Sequence, residues 1–91
     1  MGDVRISPEA EAVLDELWEN GHADLVGILE DAIDWAADGD ARARAHRLEG
    51  VGTASGAWLV VVRYRGEAWV VVWTHDAGTA QIHGIARTEA F

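Results

Sequence analysis

The sequence predicts an α+β domain with the element order β-α-α-β-β-β, in which a helical hairpin packs on a mainly antiparallel sheet. Two segments with helical periodicity occupy residues 8–38, and two runs rich in valine and aromatic residues, 58–64 and 68–74, flank Gly66. The 91 residues are 49% hydrophobic and include five tryptophans. This length and composition predict a single domain over residues 1–91 with a buried core.

The first strand and helix follow from local signals. Val4 and Ile6 alternate with polar residues, which is typical of a short strand. Ser7-Pro8-Glu9 then predicts a helix start, because serine caps free backbone N–H groups, proline suits the first helical position and an acid complements the helix dipole. Asn20-Gly21 ends this helix. Its apolar stripe consists of Ala10, Val13, Leu14, Leu17 and Trp18.

A second helix follows after only a few residues, which predicts an antiparallel hairpin of helices. This helix ends at Asp38-Gly39. Beyond Asp40 we expect a helical turn, and near residues 47–49 a short strand. The apolar stripe of the second helix consists of Leu25, Ile28, Leu29, Ala32, Ile33 and Ala36.

The sequence pattern of the C-terminal part of the chain predicts three antiparallel strands. Gly66 marks a hairpin turn, residues 76–79 mark a second turn, and residues 80–86 form the last strand. A two-residue loop at Gly66 separates the hairpin side chains into two faces, because side chains alternate along a strand. One face holds Trp58, Val60, Val62, Tyr64, Trp69, Val71 and Trp73, and the other holds Leu59, Val61, Val70 and Val72, with Arg63 and Arg65 near its end.

Both faces of this hairpin are apolar, whereas a sheet with one face in water alternates apolar and polar residues. Two helices can cover one face. The other face needs a terminal segment, a second copy of the chain or another protein, unless the sheet curls enough to hide both sides. We expect a protein partner on the apolar sheet. The predicted partner-binding residues are Trp58, Tyr64, Trp69 and Trp73.

The charge is divided unevenly along the chain. Residues 1–40 carry twelve acids and one arginine, a formal charge of −11, whereas residues 41–91 carry six arginines and four acids, a formal charge of +2. The total of −9 repels nucleic acid at long range, because binding to phosphates depends on Lys and Arg. We therefore expect the chain to contact nucleic acid only locally, through arginines.

The composition also excludes several kinds of site. Without cysteine the chain has no disulfide, thiolate catalyst or cysteine zinc site. The four histidines follow no metal-ligand spacing, so we predict no metal and no cofactor. No stretch of about 18 apolar residues predicts a membrane span, and the acidic N-terminus is unlike a signal peptide. We expect a cytoplasmic protein without membrane contacts.

Short motifs along the chain add a family resemblance. Residues 4–10 read Val-Arg-Ile-Ser-Pro-Glu-Ala, residues 47–50 read Arg-Leu-Glu-Gly, and residues 55–58 read Ser-Gly-Ala-Trp. Together with a final strand ending at Arg87 and Phe91, these motifs resemble the RelE/ParE superfamily of type II toxin–antitoxin toxins, whose members have a β-α-α-β-β-β arrangement. The resemblance implies a small toxin with a cognate antitoxin across the apolar sheet face.

RelE-like toxins cut messenger RNA on the ribosome, with basic residues and an acid–base group on the sheet. His46 stands where the YoeB branch has a glutamate, and the pKa of a histidine suits a base. Arg87 matches an arginine of the final strand. The candidate catalytic residues for a ribonuclease are His46, Arg63, Arg65, His83 and Arg87.

The chain departs from the ribonuclease pattern at two places. Glu67-Ala68-Trp69 stands where the YoeB branch begins a strand with arginine, and the terminal His-Tyr of the family falls at Ala90-Phe91, which cannot transfer a proton. We therefore predict a ParE-like toxin that binds a protein target such as DNA gyrase. The alternatives are a non-catalytic interaction module or homodimer of phage or chromosomal origin, and a ribosome-dependent mRNA endoribonuclease.

Overall fold

A computed structural model describes residues 3–44, 46–48 and 57–89 of the protein. Two helices pack on a five-stranded mixed sheet, which confirms the predicted α+β class. No helix in the described ranges has the length and apolar character needed to cross a membrane. The elements are β1 (Asp3–Ile6), α1 (Pro8–Glu19), α2 (Ala23–Asp38), a 3₁₀ turn (Ala41–Arg44), β2 (His46–Leu48), β3 (Ala57–Tyr64), β4 (Glu67–Asp76) and β5 (Thr79–Thr88).

The 3₁₀ turn and β2 are the two elements expected between the second helix and the hairpin. Of the motifs that carry the family resemblance, Glu49-Gly50, Ser55-Gly56 and Ala90-Phe91 lie outside the described residues. The structure describes the rest of these motifs: residues 4–10, Arg47-Leu48, Ala57-Trp58 and Arg87.

The strands lie in the order β1-β5-β4-β3-β2, with β1 parallel to β5 and the other neighbouring strands antiparallel. The β3–β4 hairpin turns through two residues, Arg65 and Gly66. Trp58 pairs with Trp73, and Val62 pairs with Trp69. The predicted division of the hairpin into two faces is therefore confirmed.

The helices begin and end where the local signals predict. The Ala10 N–H donates to the Ser7 hydroxyl oxygen at 3.1 Å, and the same hydroxyl donates to the His83 carbonyl at 2.8 Å. The cap of α1 thus also ties this helix to β5. At the C-terminal end of the second helix, Gly39 caps α2 with a φ of +71°, a left-handed conformation that glycine adopts without steric cost.

We call the side of the sheet that meets the helices the inner face. Trp73 is its largest fully buried side chain, and it packs in one cluster with Leu25 and Leu29 of α2. Removing these apolar side chains from water is the main force that holds the two layers together. The inner face comprises Trp58, Val60, Val62, Tyr64, Trp69, Val71 and Trp73, with Ile82 and Ile85 of β5.

Trp18 differs from the prediction. Its spacing assigns it to the apolar stripe of α1, but its side chain is 64% exposed. Leu17 packs against the core, and Trp18 lies about 100° further round the helix. Trp18 therefore lies at the margin of the stripe, beyond the surface that the sheet and α2 cover.

The opposite side of the sheet is called the outer face. Leu59 and Val70 are buried there, whereas Val61 and Val72 are half-buried. Polar and charged side chains surround this apolar centre. The outer face comprises His46, Leu59, Val61, Arg63, Ala68, Val70, Val72, Thr74 and His83.

Candidate functional site

Three of the five candidate catalytic residues lie on the outer face. His46 pairs with Leu59 on β3, and Arg63 lies further along the same strand opposite Ala68. His83 occupies a bulge of β5, because Val72 pairs with Gly84 while Trp73 pairs with Ile82. Its Nε2 lies 2.7 Å from the Thr74 Oγ1.

These three residues share a face but do not converge. His46 pairs with Leu59, and Arg63 lies four positions beyond Leu59 on β3. This separates His46 and Arg63 by roughly 13 Å along the strand. His83 is three strands away from His46, or about 14 Å across the sheet. Acid–base catalysis needs its groups within hydrogen-bond reach of one substrate, about 3 Å from the reacting atoms. Among the described residues, the outer face therefore does not bring His46, Arg63 and His83 together at one reacting centre.

Arg87 lies on the other side of the sheet, opposite Trp69. Its Nη1 donates to the Glu67 carboxylate at 2.8 Å, and this hydrogen bond with the adjacent negative charge raises the pKa of Arg87. The Glu67 carboxylate is thus the counter-ion of Arg87 in the fold. The pair reduces the positive charge available to a phosphate.

Arg65 is also paired with an acid. It occupies the hairpin turn, and its Nη2 lies 3.5 Å from the Asp24 Oδ2 at the start of α2. The Tyr64 hydroxyl donates to the other oxygen of Asp24 at 2.8 Å, and the Leu25 N–H donates to that oxygen at 3.0 Å. Asp24 thus joins the end of the hairpin to the start of α2.

This polar cluster is poorly suited to proton transfer. The hydrogen bond from Tyr64 lowers the pKa of Asp24. Burial raises the pKa of Tyr64, and its hydrogen bond to Asp24 raises it further. At neutral pH the phenol is therefore a protonated donor and the carboxylate is ionised. The cluster therefore holds the end of the hairpin and the start of α2 together.

The predicted partner-binding residues lie on the inner face, under the helices. Trp73 is completely buried and Tyr64 is 8% exposed, so these two side chains contact the chain's own core. Trp58 and Trp69 are half-buried against the same core. The tryptophan-rich face is therefore the face that the helices cover, and the side chains of Tyr64 and Trp73 are not available to a partner in this fold.

A cluster of arginines and aromatic rings lies near β2. The Arg42 guanidinium lies 4.3 Å from the Trp35 ring centroid, and those of Arg44 and Arg47 lie 6.0 and 5.0 Å from that of Trp58. Such stacking is a cation–π contact. The Arg-x-Arg-x-x-Arg spacing is visible in the sequence, but its aromatic partners follow only from the fold.

Asp40 anchors one end of this cluster. Its carboxylate accepts the Arg42 backbone N–H at 2.9 Å and two guanidinium N–H groups at 3.1 and 2.8 Å. The side-chain hydrogen bonds from Arg42 are the main reason why the pKa of Asp40 falls to about 2. The pair holds the Arg42 guanidinium over the Trp35 ring.

The described side chains offer no group of three or more histidines, aspartates or glutamates arranged to hold a metal ion. A scan against protein-family models, a search of curated proteins and a search of solved structures each find no match to this chain. The geometry of the surface itself therefore carries the functional conclusion.

Proposed function

We propose that the chain is a toxin-like protein of the RelE/ParE type that binds a protein target, such as DNA gyrase, and does not cleave RNA. One observation carries this proposal. The five candidate catalytic side chains are divided between the two faces and the hairpin turn, and Arg65 and Arg87 are each paired with a carboxylate.

The element order supports the RelE/ParE part of the proposal. A strand and two helices precede three consecutive antiparallel strands, β3 to β5, and the chain adds the short strand β2 at the edge. The Ser-Pro-Glu helix start performs the capping that its sequence predicts, with Ser7 as the cap and Pro8 in the first turn.

The distribution of charge supports a protein target rather than RNA. The helical half of the chain has a formal charge of −11, which repels a phosphate backbone until an arginine makes direct contact. A ribosome-dependent nuclease also needs to approach a highly charged RNA surface. Protein binding requires neither a catalytic set nor a positive surface.

Expression of the chain alone in a bacterial host tests the proposal. We expect growth to arrest on induction, with gyrase-linked DNA damage and with intact messenger RNA. Ribosome-dependent cleavage of messenger RNA would contradict the proposal and indicate an endoribonuclease. Normal growth at confirmed soluble expression would contradict toxicity and leave a non-catalytic interaction module.

A further inference from the structure

A groove runs between β1 and the two helices, on the acidic half of the chain. Its volume is about 580 Å³, within the range of ligand-binding clefts. Val26 forms a buried part of its wall, and Ile6 and Leu14 are half-buried. The groove therefore has an apolar floor.

Two exposed apolar side chains border the same groove. Trp18 is 64% exposed and Val4 is 38% exposed, and they are the exposed large hydrophobic residues of the described chain. Contiguous exposed apolar surface marks interaction sites, and tryptophan is enriched among the residues that dominate binding. Their meeting at one groove indicates an apolar contact surface.

Acids form the rim. Glu11 and Asp15 lie one turn apart on α1, and Glu30 faces them from α2. No arginine of the described residues forms an ion pair with any of the three. The like charges at positions 11 and 15 repel each other, and a cation bound between them relieves this repulsion.

We propose that this groove binds a basic amphipathic segment of a partner protein. Aliphatic side chains of the segment fill the apolar floor beside Trp18, and its arginines or lysines pair with the acidic rim. The proposal rests on the proposed function, since it names the chemistry of a partner for a protein-binding chain. A second copy fits less well, because two copies of the groove would bring like-charged rims together.

The position of β1 at the edge of the sheet supports this occupant. Its hydrogen-bonded neighbour in the sheet is β5, on one side only. An edge strand offers backbone N–H and C=O groups to an added segment, and a bound segment gains affinity from such main-chain hydrogen bonds. Val4 and Ile6 of this edge strand belong to the groove.

The test uses the full chain and a synthetic peptide in which leucine and arginine alternate, with a leucine–glutamate peptide as its control. Titration calorimetry should show binding of the arginine peptide and none of the glutamate peptide. Combining Glu11→Gln, Asp15→Asn and Glu30→Gln should weaken binding about tenfold or more and reduce its salt dependence. Trp18→Ala should also weaken it by about tenfold or more.

A matched variant removes three exposed charges that lie away from the groove, at the end of α2, at the end of β4 and after β5: Asp38→Asn, Asp76→Asn and Glu89→Gln. It should bind the arginine peptide within about twofold of the wild type, because screening limits the reach of exposed charges to about 10 Å in ordinary salt. An equal loss in this variant would reveal non-specific attraction and overturn the proposal. Failure of the wild type to bind the peptide would also overturn it, as would a homodimer that Trp18→Ala dissociates.

The growth assay distinguishes a failure of this proposal from a failure of the proposed function. Peptide binding without growth arrest contradicts the toxin and supports the groove. Growth arrest without peptide binding contradicts the groove and supports the toxin.

Discussion

Trp69 and Trp73 both face the helices from β4, but their indole N–H groups have different surroundings. The Trp73 Nε1 donates to the Ala43 carbonyl at 2.8 Å, in a completely buried position. The Trp69 Nε1 is buried without a hydrogen-bond partner among the described residues. An unsatisfied buried polar group costs stability, whereas a satisfied one contributes to it.

We therefore expect the same substitution to destabilise the protein by unequal amounts at the two positions. Trp73→Phe should lower the free energy of unfolding by about 2–3 kcal/mol, because it leaves the Ala43 carbonyl unpaired and opens a cavity. Trp69→Phe should cost about 1 kcal/mol or less, since it removes an unpaired N–H. Urea unfolding followed by circular dichroism measures both values. Equal costs would contradict this difference in hydrogen bonding.

The low pKa of Asp40 predicts that the free energy of unfolding depends on pH in acid. Its pKa of about 2 lies below the ordinary value of 3.8, so its ion pair with Arg42 stabilises the fold fully above pH 3.8 and is lost as the pH falls toward 2. The difference in free energy of unfolding between the wild type and Asp40→Asn should therefore shrink over that interval. Urea unfolding at a series of pH values checks the sign. A difference that widens on acidification would show that the carboxylate is not stabilised in the fold.

Two tight turns in the described part of the sheet, β3–β4 and β4–β5, share one backbone feature. Arg65 and Ala77 have φ values of +49° and +51°, and each is followed by a glycine with positive φ. Two-residue hairpins of this kind favour Asn-Gly, because both central residues are left-handed. A residue with a branched or ordinary side chain is strained at the first position.

Ala77→Asn should therefore raise the free energy of unfolding, by about 1 kcal/mol or less. Ala77 is exposed, so the substitution removes no core contact. Thermal unfolding of the wild type, Ala77→Asn and Ala77→Val provides the comparison, and the valine variant should be less stable than the wild type. A lower melting temperature for Ala77→Asn than for Ala77→Val would contradict the turn assignment.

Elements with strong local signals could be predicted from the sequence. Ser7, Pro8 and Gly39 fix helix ends through capping and backbone conformation, and Gly66 fixes the hairpin register. The side of the sheet that receives the helices could not be predicted, because both faces of the hairpin are apolar. Its choice depends on packing between segments far apart in the chain.

The candidate site shows the same limit. Asp24 reads as one acid among twelve in the first forty residues, yet it accepts a hydrogen bond from Tyr64, which is 40 positions away. The pairing of Arg87 with Glu67 likewise depends on strand register. Residue types and spacing identify the ionisable groups. The ion pairs and hydrogen bonds that these groups form follow only from the folded chain.

Across the whole molecule, the acidic and arginine-rich halves have different surroundings. Acids border the apolar groove beside β1, whereas arginines stack on aromatic rings near β2 at the other edge of the sheet. The outer face, on the opposite side of the sheet, carries His46, Arg63 and His83 too far apart for one reaction. This separation supports the proposed protein-binding function over cleavage of RNA.

Growth after induction separates these two activities when the wild type is compared with a triple variant, His46→Ala, Arg63→Ala and His83→Ala. The three side chains are exposed, so the variant should retain the fold. If the chain acts by binding a protein away from the outer face, both chains should arrest growth to the same extent with messenger RNA intact. Arrest by the wild type with cleaved messenger RNA, together with normal growth and intact messenger RNA in the equally soluble variant, would contradict the proposed function.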